Sequence, residues 1–454
     1  MGTVGINFGP INSGQGFDVA STVSQILAAE QAVEDPWKTQ LSSLQAQDTA
    51  LSKMGTDLAS LATALQALTD FSGVFASKQG SSSDTDVVAL TSANNLAVAG
   101  SHTIVVNRLA QTSSQYSDKL TNAGDTLSGS INITINGESQ QLDVSGKTLS
   151  QLAASINAAS MGVSASVVTD TTGSRLTLVS NTSGAAGEIT LDASLNDDAT
   201  GTAVGFQAGM HGQDAELNID GLDTTSASNT VSGLIPGVTF QLLSITSNPN
   251  VPVQVQITND NSSIEQAFAN FVTAYNAVTD DIKTQEGKDA NGNPQPLYGD
   301  PTVALIQNQL TQGLLSGAAS GSIKSLSQIG ISVDQSGHLS IDGGTMDSVL
   351  NTNFADIQGF LQNANSFGRN FASVLNGLSS NSTSGAISLA LKQNAAQETT
   401  LNKNISDQEA RIADDKDRLT DQLNTANQIL QSLPDQLNSI NQLYSAITGY
   451  NTGQ

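Results

Sequence analysis

From Leu419 onward, apolar residues recur at alternating spacings of four and three: Leu419, Leu423, Ala426, Leu430, Leu433, Leu437, Ile440, Tyr444 and Ile447. That is a heptad seam, and it predicts one long helix over residues 386–447. Steps of seven carry the seam back through Ile412 and Ile405, but Lys416, Glu409 and Asn402 fill the alternate slots, so the C-terminal part is the stickier. Pro434 falls inside the run without changing its phase. An interior proline removes a backbone hydrogen bond and collides with the preceding turn, so a kink or a break is expected near Leu433. A second seam lies at the other end of the chain: Trp37, Leu44, Leu51, Leu58 and Leu65, joined by Met54, Leu61 and Leu68. A shorter helix precedes it, with Asp18 or Ser21 as its cap and Val19, Val23, Ile26 and Leu27 as its face. Asp35-Pro36 then restarts the helix. Stripes of this length are stabilised by burial more than by helix propensity. The two terminal helices are therefore expected to pack on each other, which makes everything between them an insertion.

After Phe71 the period changes to two. Residues 87–90 and 102–106 read as strands, with Gly100 and the polar cluster at 81–86 as breakers. Ile131, Ile133 and Ile135 alternate into Asn136-Gly137, a strong hairpin-turn pair, and Leu142 and Val144 return. Thr148 caps a short helix bearing Leu149, Leu152 and Ile156, and residues 163–167 and 176–179 make another hairpin around Gly173. The unit reads ββαββ, with residues 189–191 as an added edge strand. Leu217 with Ile219, then Val238, Phe240 and Leu242, then Val251, Val253, Val255 and Ile257 supply a further β segment. Helical spacing returns after the capping cluster at 259–262, with Ile264, Phe268, Phe271, Tyr275, Val278 and Ile282. A Pro-containing loop leads to a helix with Val303, Ile306, Leu310 and Leu314. A hairpin over 329–342 precedes one helix through Met346, Val349, Leu350, Phe354, Ile357 and Phe360, and residues 377–385 are a linker. The expected fold class is α+β and multidomain, with terminal helices forming bundle-like legs and two β-rich domains between them.

Composition narrows the function. The chain has 454 residues, 13% charged and 4% aromatic, and a formal net charge of −25. Such an acidic chain, with no Lys or Arg between Arg175 and Lys283, is a poor fit to nucleic acid, whose phosphates need neutralising. The absence of Cys removes disulfide scaffolds, thiolate zinc sites and cysteine nucleophiles. Residues 1–16 are rich in Gly and Asn and read as a tail that orders on docking, without the pattern of a secretory signal, and no continuous apolar run is long enough to span a membrane. His102, His211 and His338 lie in separate segments, which suits turn and surface roles better than a metal site. The sequence from Asp289 begins like a calcium loop but has Pro294 where a Gly is needed, and the run from Asp192 fails similarly at Asp197. Gly14-Gln15-Gly16 lacks the context of a phosphate loop, and nothing ties a Ser to a His. No catalytic residue, cofactor or metal is expected.

The order of segments resembles the flagellar hook-associated protein 2 family, the filament cap proteins. The resemblance is carried by Gly16-Phe17-Asp18 with Val23, Ile26, Leu27, Glu30 and Pro36; by the ββαββ unit with Thr148-Leu149-Ser150-Gln151-Leu152 and Ser174-Arg175-Leu176-Thr177-Leu178; by Asp214-Ala215-Glu216-Leu217 through Ile235-Pro236-Gly237-Val238; and by Ile329-Gly330-Ile331 with Gly337-His338-Leu339-Ser340-Ile341-Asp342. It implies a secreted structural protein, exported by the flagellar type III route, that forms a homo-oligomeric ring at the distal tip of the filament. Flagellin would polymerise beneath it without leaking, and an export chaperone is an implied partner. The domains expected are 1–36 with 420–454 as a terminal coiled-coil region, 37–78 with 260–419 as a leg, 79–118 with 213–259 as a β domain, and 119–212 as the inserted module. Residues 37–68 and 264–282 are expected to close an internal bundle with the upstream part of the last helix. Phe17, Val23, Ile26, Leu27, Leu430, Leu433, Leu437, Ile440, Tyr444 and Ile447 are then left as the docking seam, so proteolysis should trim both ends to a core of about 37–419. A structural subunit of the filament or of the hook-filament junction, and a surface adhesin using the β domains, are the alternatives.

Overall fold

The computed structural model describes residues 16–317 and 321–449, so the tail expected over residues 1–16 lies, but for Gly16, outside the described residues. The helices are α1 (Val19–Gln31), α2 (Asp35–Thr69), α3 (Leu149–Ala158), α4 (Asn261–Gln285), α5 (Pro301–Leu315), α6 (Gly343–Thr352), α7 (Phe354–Gln362), α8 (Phe367–Leu378) and α9 (Ala386–Thr448). The chain divides into two compact units, residues 1–69 with 267–454 and residues 70–266.

In the helical unit, α2 buries Leu44, Leu51, Met54, Leu58, Leu61, Leu65 and Leu68, the seam read from the sequence, while Trp37 is half-buried. Its partners are α9 and α8. The approach to α9 is close at Gly55, where a Cβ would lie 2.9 Å from Ser380 Oγ and 3.6 Å from the Ile387 side chain. Farther along, Asn394 Nδ2 donates to Asp48 Oδ1 at 2.7 Å. Phe271 of α4 meets Phe371 of α8 edge-on at 6.0 Å, and Phe371, Phe367 and Phe360 form a stacked series with centroids 5.5 and 5.0 Å apart. Asp300 caps α5 by accepting from the Thr302 amide, with Pro301 at the first helical position, where its missing N–H costs nothing. The hairpin of Ile331–Val333 and Leu339–Ile341 is as the sequence predicts. The single helix expected through Phe360 is instead two, because Asn353 leaves the helical region and divides α6 from α7. Sequence reading passed over α8, whose buried Phe367, Phe371, Leu375 and Leu378 hold helical spacing and whose last two residues fall in the stretch read as linker.

The β unit is built from antiparallel sheets. One has the order Lys78–Ser82, Val253–Asn259, Gly100–Arg108, Ala215–Ile219 and Leu222–Ser226; it shares a core with a smaller sheet of Thr230–Ser232, Val238–Leu242 and Val88–Ala93. Residues 78–82, of which 81 and 82 read as the start of a polar breaker, pair in register with the 253–259 strand, whereas Val251 precedes that strand and is exposed. Strand residues 126–135 and 138–143 do form the hairpin expected at Asn136-Gly137, whose φ values of 49° and 82° are those of a type I′ turn. Thr148 caps α3 in a full capping box with Gln151. The ββαββ unit is not one sheet, however. Its first hairpin pairs with Thr190–Asp197, which is an interior strand and not an edge, while Val163–Asp170 and Gly173–Ser183 join Thr112–Ser117 and Phe206–Met210 in a second sheet. The strands 112–117 and 206–210 are too polar to have declared themselves by alternation.

Candidate docking surface on the terminal helices

The tripeptide Gly16-Phe17-Asp18 seats the start of α1 against α9. Gly16 has φ +67°, and a Cβ there would run into Asn427, so the position takes glycine for two reasons at once. The Phe17 amide donates to Asn427 Oδ1 at 2.9 Å. Asp18 then caps α1, accepting from the Ser21 amide at 3.1 Å. α1 runs antiparallel to α9, because its far end is met by Gln408, whose Nε2 donates to the Glu30 carbonyl at 3.4 Å. Thr22, Val23 and Leu27 are buried and Ile26 is half-buried. The N-terminal members of the expected seam therefore lie against α9 of the same chain, where the sequence alone gave them no intramolecular partner.

The turn from α1 into α2 carries an unusual charge. Glu34 is 3% exposed, and only one of its carboxylate oxygens, Oε2, has a hydrogen-bond partner, Lys38 Nζ at 2.6 Å. Lys38 also reaches Glu409 on α9 at 3.4 Å. The hydrogen bond to Glu34, and then that to Glu409, hold the Lys38 ammonium above the ordinary lysine range, although burial works against it. A similar cluster ties α2 to α4, where Lys53 meets Asp57 at 3.0 Å and also Asp281. Burial raises the Asp281 carboxyl, and the neighbouring Asp57 adds to the rise against the opposing pull of Lys53.

Beside α1 and α9 lies an open groove of about 810 Å³, with Phe17, Val23 and Leu27 on one wall and Ile412, Lys416, Thr420, Asn424 and Asn427 on the other. Farther along α9 the burial fades. Ile387, Leu401 and Ile405 are buried, and Ile412, Leu419, Leu423, Leu430 and Leu433 are half-buried. Leu437, Ile440, Tyr444 and Ile447 are 48, 62, 53 and 77% exposed. Ile429 and Leu443, which the heptad reading left out, are exposed apolar residues of the same stretch. Of the kink or break expected near Leu433, the break does not occur, since α9 continues through Pro434. One missing hydrogen bond on a water-facing segment costs little beside the ladder on both sides of it.

The remaining candidates are structural. His102 Nδ1 lies 2.7 Å from Asp220, His211 Nδ1 2.9 Å from Glu188, and His338 Nε2 2.7 Å from Asp280. The Asp220 carboxyl is held below the usual range, first by the Thr103 amide and then by His102. Asp289 Oδ1 accepts from the Asn291 and Asn293 amides, which is turn chemistry and not a cation loop. No group of His, Asp or Glu among the described residues could hold a metal ion.

Comparison with known proteins bears on this arrangement. Residues 212–438, half of the chain, match the family model described as flagellar hook-associated protein 2 C-terminus, and residues 15–113 match the corresponding N-terminus model. Residues 132–182 match the flagellin hook IN motif. The B-type flagellar hook-associated protein 2 of Pseudomonas aeruginosa is 27% identical over 69% of this chain and 71% of its own length. The flagellar hook-associated protein 2 of Escherichia coli is 28% identical, over 74% of this chain and 76% of its own. Among solved structures, the D1-D2-D3 domains of the Escherichia coli flagellar cap protein FliD superpose with a TM-score of 0.59 at 28% identity, covering 76% of this chain and 99% of that one.

Proposed function

Because the chain belongs to the flagellar hook-associated protein 2 family, whose members are structural, non-enzymatic cap proteins of the flagellum, we propose that it forms a ring at the filament tip, where it promotes flagellin polymerisation and prevents loss of monomers. The observation that carries this reading is the last third of α9, a continuous helix that presents an exposed apolar stripe with Asp435 as its sole charge from Gln422 to Thr448. A stripe of that kind is costly in a free monomer and useful in an assembly. On this reading Leu430, Leu433, Leu437, Ile440, Tyr444 and Ile447 dock, and Phe17, Val23, Ile26 and Leu27 hold α1 in place beside them. The partners are other copies of the chain, flagellin and an export chaperone, and export uses the flagellar type III route. Residues 1–36 with 420–454 act as the coiled-coil end, 37–78 with 260–419 as the leg, and 79–118 with 213–259 and 119–212 as the plate. Deleting the gene tests the reading. Loss of a cap leaves hooks that shed unpolymerised flagellin into the medium, whereas normal filaments on the deletion strain would refute it.

A further inference from the structure

The groove has an apolar wall on the α1 side in Phe17, Val19, Val23 and Leu27, the end of α9 carries an exposed apolar stripe, and the two are unable to meet within one chain. α9 is a continuous helix, and at 1.5 Å per residue Ile440 lies about 20 Å beyond Asn427, the last groove residue, and about 42 Å beyond Ile412. A helix cannot fold its own end back into a groove that it helps to wall. We propose that the groove receives the C-terminal stripe of α9 from a second copy of this chain, an inference that rests on the self-assembly read above and names the surface that performs it.

Two observations select a second copy as the occupant. The stripe has the form of a groove-binding helix, with Leu437, Ile440, Tyr444 and Ile447 at spacings of three, four and three. Charge then decides which part of one copy can approach another. The chain carries a net charge of −25, so most of its surface repels its like, but the tail bears Asp435 alone and in the groove Lys416 balances Asp18, so neither patch adds to the repulsion. Groove and stripe are different patches, so the contact is heterologous, and repeated from copy to copy it either closes a ring or grows without limit. The groove wall formed by α1 explains why Gly16, Phe17 and Asp18 are spent on fixing one short helix to α9.

The chain contains no Cys, so single cysteines report cleanly. Full-length Thr420→Cys, in the groove, is mixed with full-length Gln442→Cys, beside the stripe, and treated with a short bismaleimide; Ser145→Cys in the β unit is the control. In parallel, sedimentation is followed for the parent and for Ala20→Glu, which places a charge in the groove at an exposed position of the first turn of α1, where an acid suits the helix dipole. The expected result is a mixed crosslinked dimer for 420 with 442 and none with 145, together with association at least tenfold weaker for Ala20→Glu. A parent that associates while the 420–442 crosslink is absent and Ala20→Glu behaves normally overturns the proposal and leaves the cap reading standing. A Ser145→Cys control that crosslinks to 420 as readily as Gln442→Cys does overturns it as well. A parent that stays monomeric at every concentration overturns both.

Discussion

One apolar repeat meets two fates along α9. From Ala386 to about Asn427 the helix lies against α2 and then α1, with Ile387, Leu401 and Ile405 buried and the stretch from Lys403 to Asp421 crowded with charge. From Gln428 to Thr448 the spacing is more regular, yet Leu437, Ile440, Tyr444 and Ile447 are exposed and Asp435 is the lone charge. The better heptad is thus the less buried one. Charges flanking the upstream seam favour one partner in one register and discourage others, which is what an intramolecular contact needs. The downstream seam is flanked by Asn, Gln and Ser, which neither repel a copy of the same chain nor bind it strongly. Spacing reveals that a face exists, and the charge around it indicates whether the face is kept for the fold or for assembly.

The largest effect expected is functional and confined to the downstream half. Replacing both Leu437 and Ile440 with Asp puts two charges on an exposed face, so the purified protein should keep its unfolding free energy within about 0.5 kcal/mol, as surface changes do. In a deletion strain the variant should fail to restore filaments. Normal filaments would remove the downstream face from docking, and a large fall in stability would place it in the core.

The upstream half should show the reverse. Leu401→Ala removes a buried side chain and should cost about 2–4 kcal/mol in denaturant unfolding, while Ile440→Ala should cost well under 1 kcal/mol. Equal losses at the two positions would abolish the distinction between the halves. A smaller effect is expected at Pro434. Pro434→Ala restores a backbone donor inside α9, so hydrogen exchange over residues 428–448 should slow severalfold while residues 386–412 stay as they were. A variant with unchanged exchange in the tail would show that the proline does not limit its helix.

Much of the fold was legible because burial follows period. The stripes of α2, α4 and α5 and the hairpin at Asn136-Gly137 stand where spacing and turn chemistry put them. What escaped was set by partners distant in sequence. The strands at 112–117 and 206–210 are polar and exist through their neighbours in the sheet, and the 190–197 strand is interior because residues 126–135 pair along its full length. Of the residues expected to dock, the apolar spacing was legible, but the separation of a covered group on α1 from an exposed group at the end of α9 was not. That separation depends on Asn427 accepting from Phe17 and on Gln408 meeting Glu30, polar contacts that no hydrophobic repeat encodes.

The smallest effect tests whether charge holds the upstream half together. Lys38 sits between Glu34, at 2.6 Å, and Glu409 of α9, at 3.4 Å, and these partners raise its pKa above the ordinary 10.5. A lysine raised on folding contributes stability that is fully present below 10.5 and is lost as pH rises through the higher folded value. Raising the pH above that range leaves the buried Glu34 carboxylate beside a neutral amine, so the joint between α1 and α2 should loosen where it meets α9, while the already exposed tail has nothing to lose. Trp37, the chain's sole tryptophan, adjoins Lys38 and is half-buried, so its emission maximum reports the change. The maximum should hold steady from neutral pH to about 10.5 and move to the red only above it, whereas Lys38→Gln should lack that step. If the variant shows the same alkaline step as the parent, the ion pairs do not hold the joint, and the upstream contact rests on its buried apolar side chains and the neutral hydrogen bonds beside them.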